Sequence, residues 1–331
     1  MTRRGAGSGP AAIDARAAAR PELGGVERWA RELVARLPYT VHRPPPALTH
    51  RAGHAWEQAV LPVLSARASA LLCPANLAPV AARNVVVVIH DAAPLRHPGW
   101  YSGAYAAFQR RILPLIARRA VRVITVSEFS RGELAELLGV DAEVVYGGVD
   151  PRFVPGLKAD PPYVLCVASH TARKNLRALV PAAEALARDG IRVRVVGGHR
   201  PQFAAEQGLG ALDLLGHVPD DELPALYAGA SAFVLPSVYE GFGLPVLEAM
   251  ATGTPVVTTN VTALPETAGG AARLTDPDPE ALRDALVTLL ADESERARLS
   301  ALGLARAREF TWERTAQGID AIVRAAATRR R

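Results

Sequence analysis

Residues 236–259 read Pro-Ser-Val-Tyr-Glu-Gly-Phe-Gly-Leu-Pro-Val-Leu-Glu-Ala-Met-Ala-Thr-Gly-Thr-Pro-Val-Val-Thr-Thr. The apolar run just before them, Ala232 to Leu235, has the length and composition of a buried strand. A glycine loop follows, then an apolar segment with Pro245 near its start, the favoured place for proline in a helix. Gly253-Thr254-Pro255 closes that helix, and Val256 and Val257 begin another strand. Strand, glycine loop and helix N-terminus together form an anion and hydroxyl site, because the free N–H groups point at whatever sits there. Two carboxylates flank it: Glu240 before the glycines and Glu248, expected in the first turn of the helix. Two isolated glutamates would mean only a complemented helix dipole and a solvated turn. Here Gly241, Phe242, Gly243, Pro245, Gly253 and Pro255 frame them.

The 331 residues suit two domains better than one. Hydrophobic residues make up 49% and charged residues 21%, the balance of an ordinary globular protein. Cys73 and Cys166 stand in separate apolar runs and read as buried thiols, not as a disulfide or half a metal site. No apolar run approaches the length of a membrane span. Asp14, Arg16 and Arg20 interrupt the start of the chain, so it lacks a signal-peptide core, and cytoplasm is the expected location. The net charge of +5 comes from arginine, since Lys158 and Lys174 are the only lysines. No arginine–aromatic interleaving or groove-reading motif accompanies it, which argues against nucleic acid as a partner.

Apolar runs alternate with amphipathic segments from end to end, the pattern of parallel sheets covered by helices. In the first half, strands are expected at Ala11–Ala15, Ala70–Cys73, Val85–Ile89, Val121–Val126 and Glu143–Tyr146. Val85–Ile89 is continuously β-branched, as for a central strand buried on both faces, and delivers His90 and Asp91 to its C-terminal end. The Pro21–Gly25 loop precedes a helix over Val26–Leu37, and its Gly24 and Gly25 would let a phosphate approach the backbone. Residues 56–66 read as helix. Ser130 with Glu133 reads as a capping box. The Tyr101–Arg119 segment is expected to be a helix with Tyr105, Phe108, Ile112 and Leu115 inward and a kink at Pro114. Its Arg110, Arg111, Arg118 and Arg119 form either a solvated face or a surface for anionic lipid or a lipid-linked acceptor.

Residues 151–162 hold four prolines and read as a linker between domains at 1–150 and 163–310. Strands follow at Tyr163–Val167, Arg192–Val196, Asp213–Leu215 and Ala272–Leu274, with a helix at Asp220–Gly229. Another helix is expected to start at Arg173, with Arg173 and Lys174 at its N-terminus. Cations there oppose the helix dipole, and an anionic partner would resolve the conflict. Asp276-Pro277-Asp278 has the look of a metal-binding Asp-x-Asp, yet Asp278 followed by Pro279 is a helix N-cap, so no metal is expected.

The Glu240-to-Glu248 segment resembles the signature of retaining, nucleotide-sugar-dependent glycosyltransferases of family 4 ("group 1"), which have the GT-B fold. The resemblance extends over essentially the whole chain, most strongly from Pro151 to Glu313. It implies an α/β protein of two Rossmann-like domains facing across a cleft, the acceptor on the first and the donor mainly on the second. Phe310-Thr311-Trp312-Glu313 resembles the terminal signature, after which a last helix, 311–328, returns to the N-terminal domain. Arg173 and Lys174 match the pair that clamps the donor pyrophosphate, although Ala168-Ser169 and Thr171-Ala172 depart from the usual glycine and acidic-proline pattern before it. Gly24 and Gly25 match a loop near the donor phosphates, and His90 a histidine facing the transferred sugar. His217 and Val218 fall where the base is contacted. By the same resemblance Glu240 lies by the sugar, Glu248 holds the ribose, and the N–H groups of Phe242, Gly243 and Leu244 meet sugar and phosphate.

What this implies is transfer of a hexose, of mannose type or similar, from a nucleoside-diphosphate sugar to a glycan, lipid-linked or small-molecule acceptor. Neither metal nor cofactor would be required, and contact with the inner face of the membrane is the one peripheral association the arginines suggest. Paired carboxylates alone would also fit a glycoside hydrolase, but a hydrolase needs no phosphate clamp. The remaining rivals are a nucleotide-sugar epimerase on the same fold and a non-catalytic sugar-nucleotide-binding subunit.

Overall fold

A computed structural model of the chain describes residues 9–20, 24–48, 53–198 and 207–328. Six parallel strands make up each of two sheets. The first is built from β1 (Ala12–Asp14), β2 (Thr40–His42), β3 (Leu71–Cys73), β4 (Val85–Val88), β5 (Arg122–Thr125) and β6 (Glu143–Val144). Their order is β2-β1-β3-β4-β5-β6. The all-valine β4 is buried along its length, because parallel sheets carry helices on both faces. The second sheet uses β7 (Tyr163–Val167), β8 (Arg192–Val196), β9 (Asp213–Gly216), β10 (Ala232–Leu235), β11 (Val256–Thr259) and β12 (Arg273–Thr275).

The order of the second sheet, β12-β11-β10-β7-β8-β9, fixes where a ligand can sit. From β7 the chain adds strands in one direction to β9, then returns to the other side of β7 for β10 and continues outward. The loops leaving β7 and β10 therefore diverge at the carboxyl end of the sheet and open a crevice, the place where open α/β sheets bind ligands. Arg173 and Lys174 lie on the first of these loops, and Glu240 on the second.

Contacts divide the chain into two compact units. One holds the described residues up to Arg96, residues 107–148 and those from Trp312 onward; the other holds 97–106 with 149–311. In the first unit, the helix Trp312–Thr328 packs Trp312 edge-on against Trp29 at 5.6 Å. It also receives a hydrogen bond from Tyr39 on Asp320 (2.8 Å) and pairs Glu313 with Arg36 (3.0 Å). In the second unit Val149 and Thr311, where the chain enters and leaves, join in an isolated parallel bridge. Residues 97–106 fall in the second unit, although sequence position placed them in the first domain.

Several expected elements shift. Residues 56–66 form two short helices, Gly53–Ala59 and Leu61–Leu64, because Pro62 starts the second. The expected capping box at Ser130 and Glu133 is absent: Ser127 is the N-cap and accepts from the Ser130 N–H at 3.0 Å, while Glu133 pairs with Arg96. The helix Asp220–Gly229 shortens to Leu223–Gly229 with Pro224 in its first turn. The helix Gly103–Arg119 buries Ala106, Gln109, Leu113, Ile116 and Ala117 in place of the expected stripe, leaving Phe108 39% and Leu115 42% exposed. Apolar residues surround most of this helix, so its own periodicity does not select the inward face, and packing on the sheet does. Residues 21–23 of the expected glycine loop lie outside the described residues.

Gly197, directly after β8, has φ +130°, and a Cβ there would lie 2.2 Å from the Ala168 carbonyl oxygen. Backbone strain of this kind costs about 1–3 kcal/mol, and the clash adds to it. Gly197→Ala is therefore expected to lower the thermal unfolding midpoint clearly. Gly198→Ala, whose Cβ meets nothing within 4 Å, is expected to leave it nearly unchanged. Equal midpoints for the two variants, by calorimetry, would contradict the steric account.

Candidate functional site

The loop after β10 turns its most polar side chain inward. Glu240 is 6% exposed and its carboxylate is held from three directions. Lys174 donates to Oε1 from the β7 side, Ser237 Oγ donates to the same oxygen at 2.7 Å, and the Arg173 guanidinium lies 3.6 Å from Oε2. The Glu240 N–H in turn donates to Thr262 Oγ1 at 3.1 Å. Burial alone would push this carboxyl up; the charges of Lys174 and Arg173, with the bonds from Lys174 and Ser237, outweigh it and hold Glu240 below the usual range. The same burial pulls Lys174, 8% exposed, below the ordinary lysine value.

Arg173 and Lys174 do not open an α-helix as expected. They end a single 3-10 turn, Ala172–Lys174, and the regular helix begins only at Val180. The break is at Asn175, which adopts φ +55° and donates its side-chain amide to the carbonyls of Pro236 (3.1 Å) and Pro277 (3.0 Å). Left-handed backbone is tolerable for asparagine, and here it bolts the β7 loop to the β10 loop. Two further hydrogen bonds reinforce this: the Val238 N–H donates to the Arg173 carbonyl (2.9 Å), and the Arg173 side-chain Nη1 donates to the Tyr239 carbonyl (3.3 Å). Side-chain cations and a buried carboxylate thus make the site, without a dipole from a helix starting at Arg173.

Gly241, Phe242, Gly243 and Leu244 continue from Glu240 and are all buried. Gly243 has φ +101° and is the N-cap of the helix Leu244–Ala251, and a Cβ there would meet Leu264 at 2.9 Å. Glu248 is the fifth residue of that helix, so it lies in the second turn and not the first, and Tyr227 donates its hydroxyl to it at 2.8 Å. His217 is exposed and Val218 partly so, in the turn after the edge strand β9. Asp278 Oδ1 accepts from the N–H groups of Glu280 (2.9 Å) and Ala281 (3.1 Å), as the N-cap reading required.

In the first unit, His90 follows β4 and is 7% exposed. Its Nε2 donates to the Pro74 carbonyl at 2.8 Å, which leaves Nδ1 as the acceptor of a neutral imidazole. Burial holds it below the ordinary histidine value. Trp29 meets the ring edge-on at 5.3 Å, from the helix Gly25–Arg36 whose N-cap is Gly24. Gly24 and Gly25 are thus at that helix N-terminus, and the Gly24 N–H donates to Glu27 at 3.0 Å. The Gly-x-x-Glu spacing signals this bond, which the sequence reading missed. Also missed was a buried group after β1: the Arg16 N–H donates to Asp14 (2.9 Å) and its guanidinium pairs with Glu57 (3.0 Å). Burial, working against Arg16, pushes Asp14 up to about 7.

Comparisons with known proteins agree on one group. Residues 161–292 match the family model of Glycosyl transferases group 1, and residues 67–153 that of Glycosyltransferase Family 4. The chain is 34% identical to O-antigen chain mannosyltransferase B of Escherichia coli over 266 residues, 72% of this chain and 70% of that one. It is 30% identical to O-antigen chain mannosyltransferase RfbU of Salmonella typhimurium over 209 residues, 60% of this chain and 58% of that one. Sucrose-phosphate synthase from Thermosynechococcus elongatus superposes with a TM-score of 0.77 at 21% identity, covering 96% of this chain and 98% of that one. At that identity the likeness concerns the fold, which is GT-B.

Removing one partner of a buried ion pair costs about 3–5 kcal/mol, because the other charge is stranded. Lys174→Met is expected to destabilise the protein by an amount of that order, and Lys174→Met/Glu240→Gln to recover part of it. Because the folded-state value of Glu240 is depressed, its contribution is complete above the unfolded glutamate value of about 4.3 and is lost as pH falls through the lower folded value. Glu240→Gln should flatten the acid limb of the stability profile. Denaturant titrations from pH 3 to 7 measure both effects, and an unchanged acid limb would refute the pairing.

Proposed function

The chain belongs to the group 1 glycosyltransferases of family 4, and from that premise we propose that it moves a mannosyl residue from a nucleoside-diphosphate donor to a glycan or lipid-linked acceptor. The observation that carries the reading is the strand reversal between β7 and β10, which brings Arg173, Lys174 and Glu240 together at one crevice. The two relatives named above are both mannosyltransferases, which supports the choice of sugar.

Breaking the bond from the anomeric carbon to the diphosphate leaves positive charge on the ring and negative charge on the departing phosphate. Arg173 and Lys174 exceed Glu240 by one positive charge, so their cluster favours that anion, and it does so inside a pre-built set of hydrogen bonds. The leaving diphosphate takes the bonding pair, the acceptor hydroxyl attacks from the same face and gives its proton to the departing phosphate oxygen, and configuration is retained. Glu240 stands by the ring. Glu248 takes the ribose hydroxyls, with Tyr227 orienting its carboxylate. The proposal includes metal independence, since Asp278 is spent on its helix cap. It also includes work at the cytoplasmic face of a membrane. The exposed Phe108, Leu115, Arg110, Arg111, Arg118 and Arg119 of one helix suit anionic lipid, and among the described residues no helix is long and apolar enough to cross a bilayer.

Incubation with a panel of nucleoside-diphosphate sugars and a membrane extract tests the reading. Transfer supports it, an isomerised donor would mean an epimerase, and binding without turnover would mean a non-catalytic subunit. Activity is expected to survive exhaustive chelation with EDTA, and an absolute demand for added divalent metal would remove that part of the proposal. Glu248→Ala is expected to weaken nucleoside diphosphate binding by about 1.5–3 kcal/mol, the value of a charged hydrogen bond. Glu240→Gln should keep that affinity while depressing turnover. Calorimetry beside steady-state rates separates them, and equal losses of affinity would end the division of labour.

A further inference from the structure

The chain is poor in aromatic residues, at 5%, yet Trp100, Tyr101 and Tyr105 fall within six positions. The indole of Trp100 stacks on His97, with ring centroids 4.0 Å apart and planes 25° from parallel. Beneath this pair lies Tyr239, 2% exposed, edge-on to His97 at 5.6 Å and to Trp100 at 6.1 Å. Tyr239 immediately precedes Glu240, and its carbonyl accepts from Arg173 at 3.3 Å. All four residues belong to the second unit. The other three tryptophans, Trp29, Trp56 and Trp312, are buried to 3% or less, whereas Trp100 is part-exposed. Space is open beside it: a Cβ on Gly99 or Gly103 would meet nothing within 4 Å.

We infer that the His97–Trp100 plate, fixed from below by Tyr239, is a stacking subsite for a pyranose ring of the acceptor. The inference rests on the transferase reading above. A pyranose presents a face of C–H groups with partial positive charge, and an aromatic face is negative, so the two attract as well as exclude water. The strand order indicates which substrate is held. Arg173 and Lys174 follow β7, and the turn with His217 and Val218, where the base is placed, follows β9, two strands to one side. The plate is fixed to the loop of β10, on the other side of β7. A donor stretching from β9 past β7 to Glu240 ends there, and what lies beyond its reactive carbon is the acceptor.

Trp100 is also the reporter for the test, because the remaining indoles are shielded from solvent. Tryptophan emission is read while methyl pyranosides of mannose, glucose, galactose and N-acetylglucosamine, and an α-linked mannotriose, are titrated with GDP or UDP present. A saturable change is expected in the native protein and in neither Trp100→Ala nor Trp100→Phe, which both lack the reporting indole. In transfer assays, Trp100→Ala should raise the acceptor KM about three- to tenfold, the value of one aromatic stacking contact. Affinity for the nucleoside diphosphate alone should stay as in the native protein, and Trp100→Phe should restore most of the acceptor KM. An acceptor KM that does not move, a nucleotide affinity that falls with it, or no saturable emission change with any sugar would overturn the subsite. Absence of transfer by the native protein would instead overturn the function, and the emission titration would still decide the plate.

Discussion

A carboxylate kept out of water needs cations and donors around it, and Glu240 obtains its cations from a different loop. Lys174 and Arg173 arrive from the end of β7 and Ser237 from its own loop, while the Glu240 N–H donates to Thr262 from beyond β11. The contacts to Lys174 and Arg173 cannot form unless β7 and β10 are neighbours in the right register, so the ion cluster and the sheet order specify one another. The arrangement is costly in isolation, since burying charge is repaid only when every partner is in place. What it provides is a set of cations already desolvated and aimed, with Asn175 and its two carbonyl partners preventing the loops from separating. An anion entering such a site meets groups that need little reorganisation.

Much of this was legible in the residues. Valine-rich runs gave β4 and β11 because a strand buried on both faces has little freedom in composition. The glycines at 241 and 243 and the prolines at 245 and 255 marked loop and helix correctly, since each satisfies a local backbone demand. What local reading missed was set by distant partners. Arg173 and Lys174 sit on a short 3-10 turn because Asn175 answers to Pro236 and Pro277, 61 and 102 residues away. Glu248 falls in the second turn because the helix already starts at Leu244, directly after a left-handed Gly243. The helix 103–119 turns Leu113 and Ile116 inward where an equally apolar stripe was available, a choice made by the sheet beneath it.

The first unit shows the same division. His90 was legible as the residue delivered by a buried strand, and its tautomer was not, because the Pro74 carbonyl that sets it lies 16 residues upstream. The Asp14, Arg16 and Glu57 group escaped notice for a related reason: Asp14 and Arg16 looked like interruptions of an apolar start, and their partner comes from a helix some forty residues on. Its position after β1, next to the neighbour strand β3 in the sheet order, is again a place where strand order changes direction.

The two cysteines carry a practical consequence. Cys73 and Cys166 end or nearly end β3 and β7, one in each unit, and both are fully buried. Burial, with Asp14 and Glu57 nearby, also pushes the Cys73 thiol well above its ordinary value, so almost none of it is thiolate at neutral pH. The native chain is therefore close to inert toward maleimides while folded. A single cysteine introduced on the surface of either unit would be labelled selectively without first deleting the natural ones. Paired dyes or spin labels could then follow the separation of the units in solution as donor and acceptor are added.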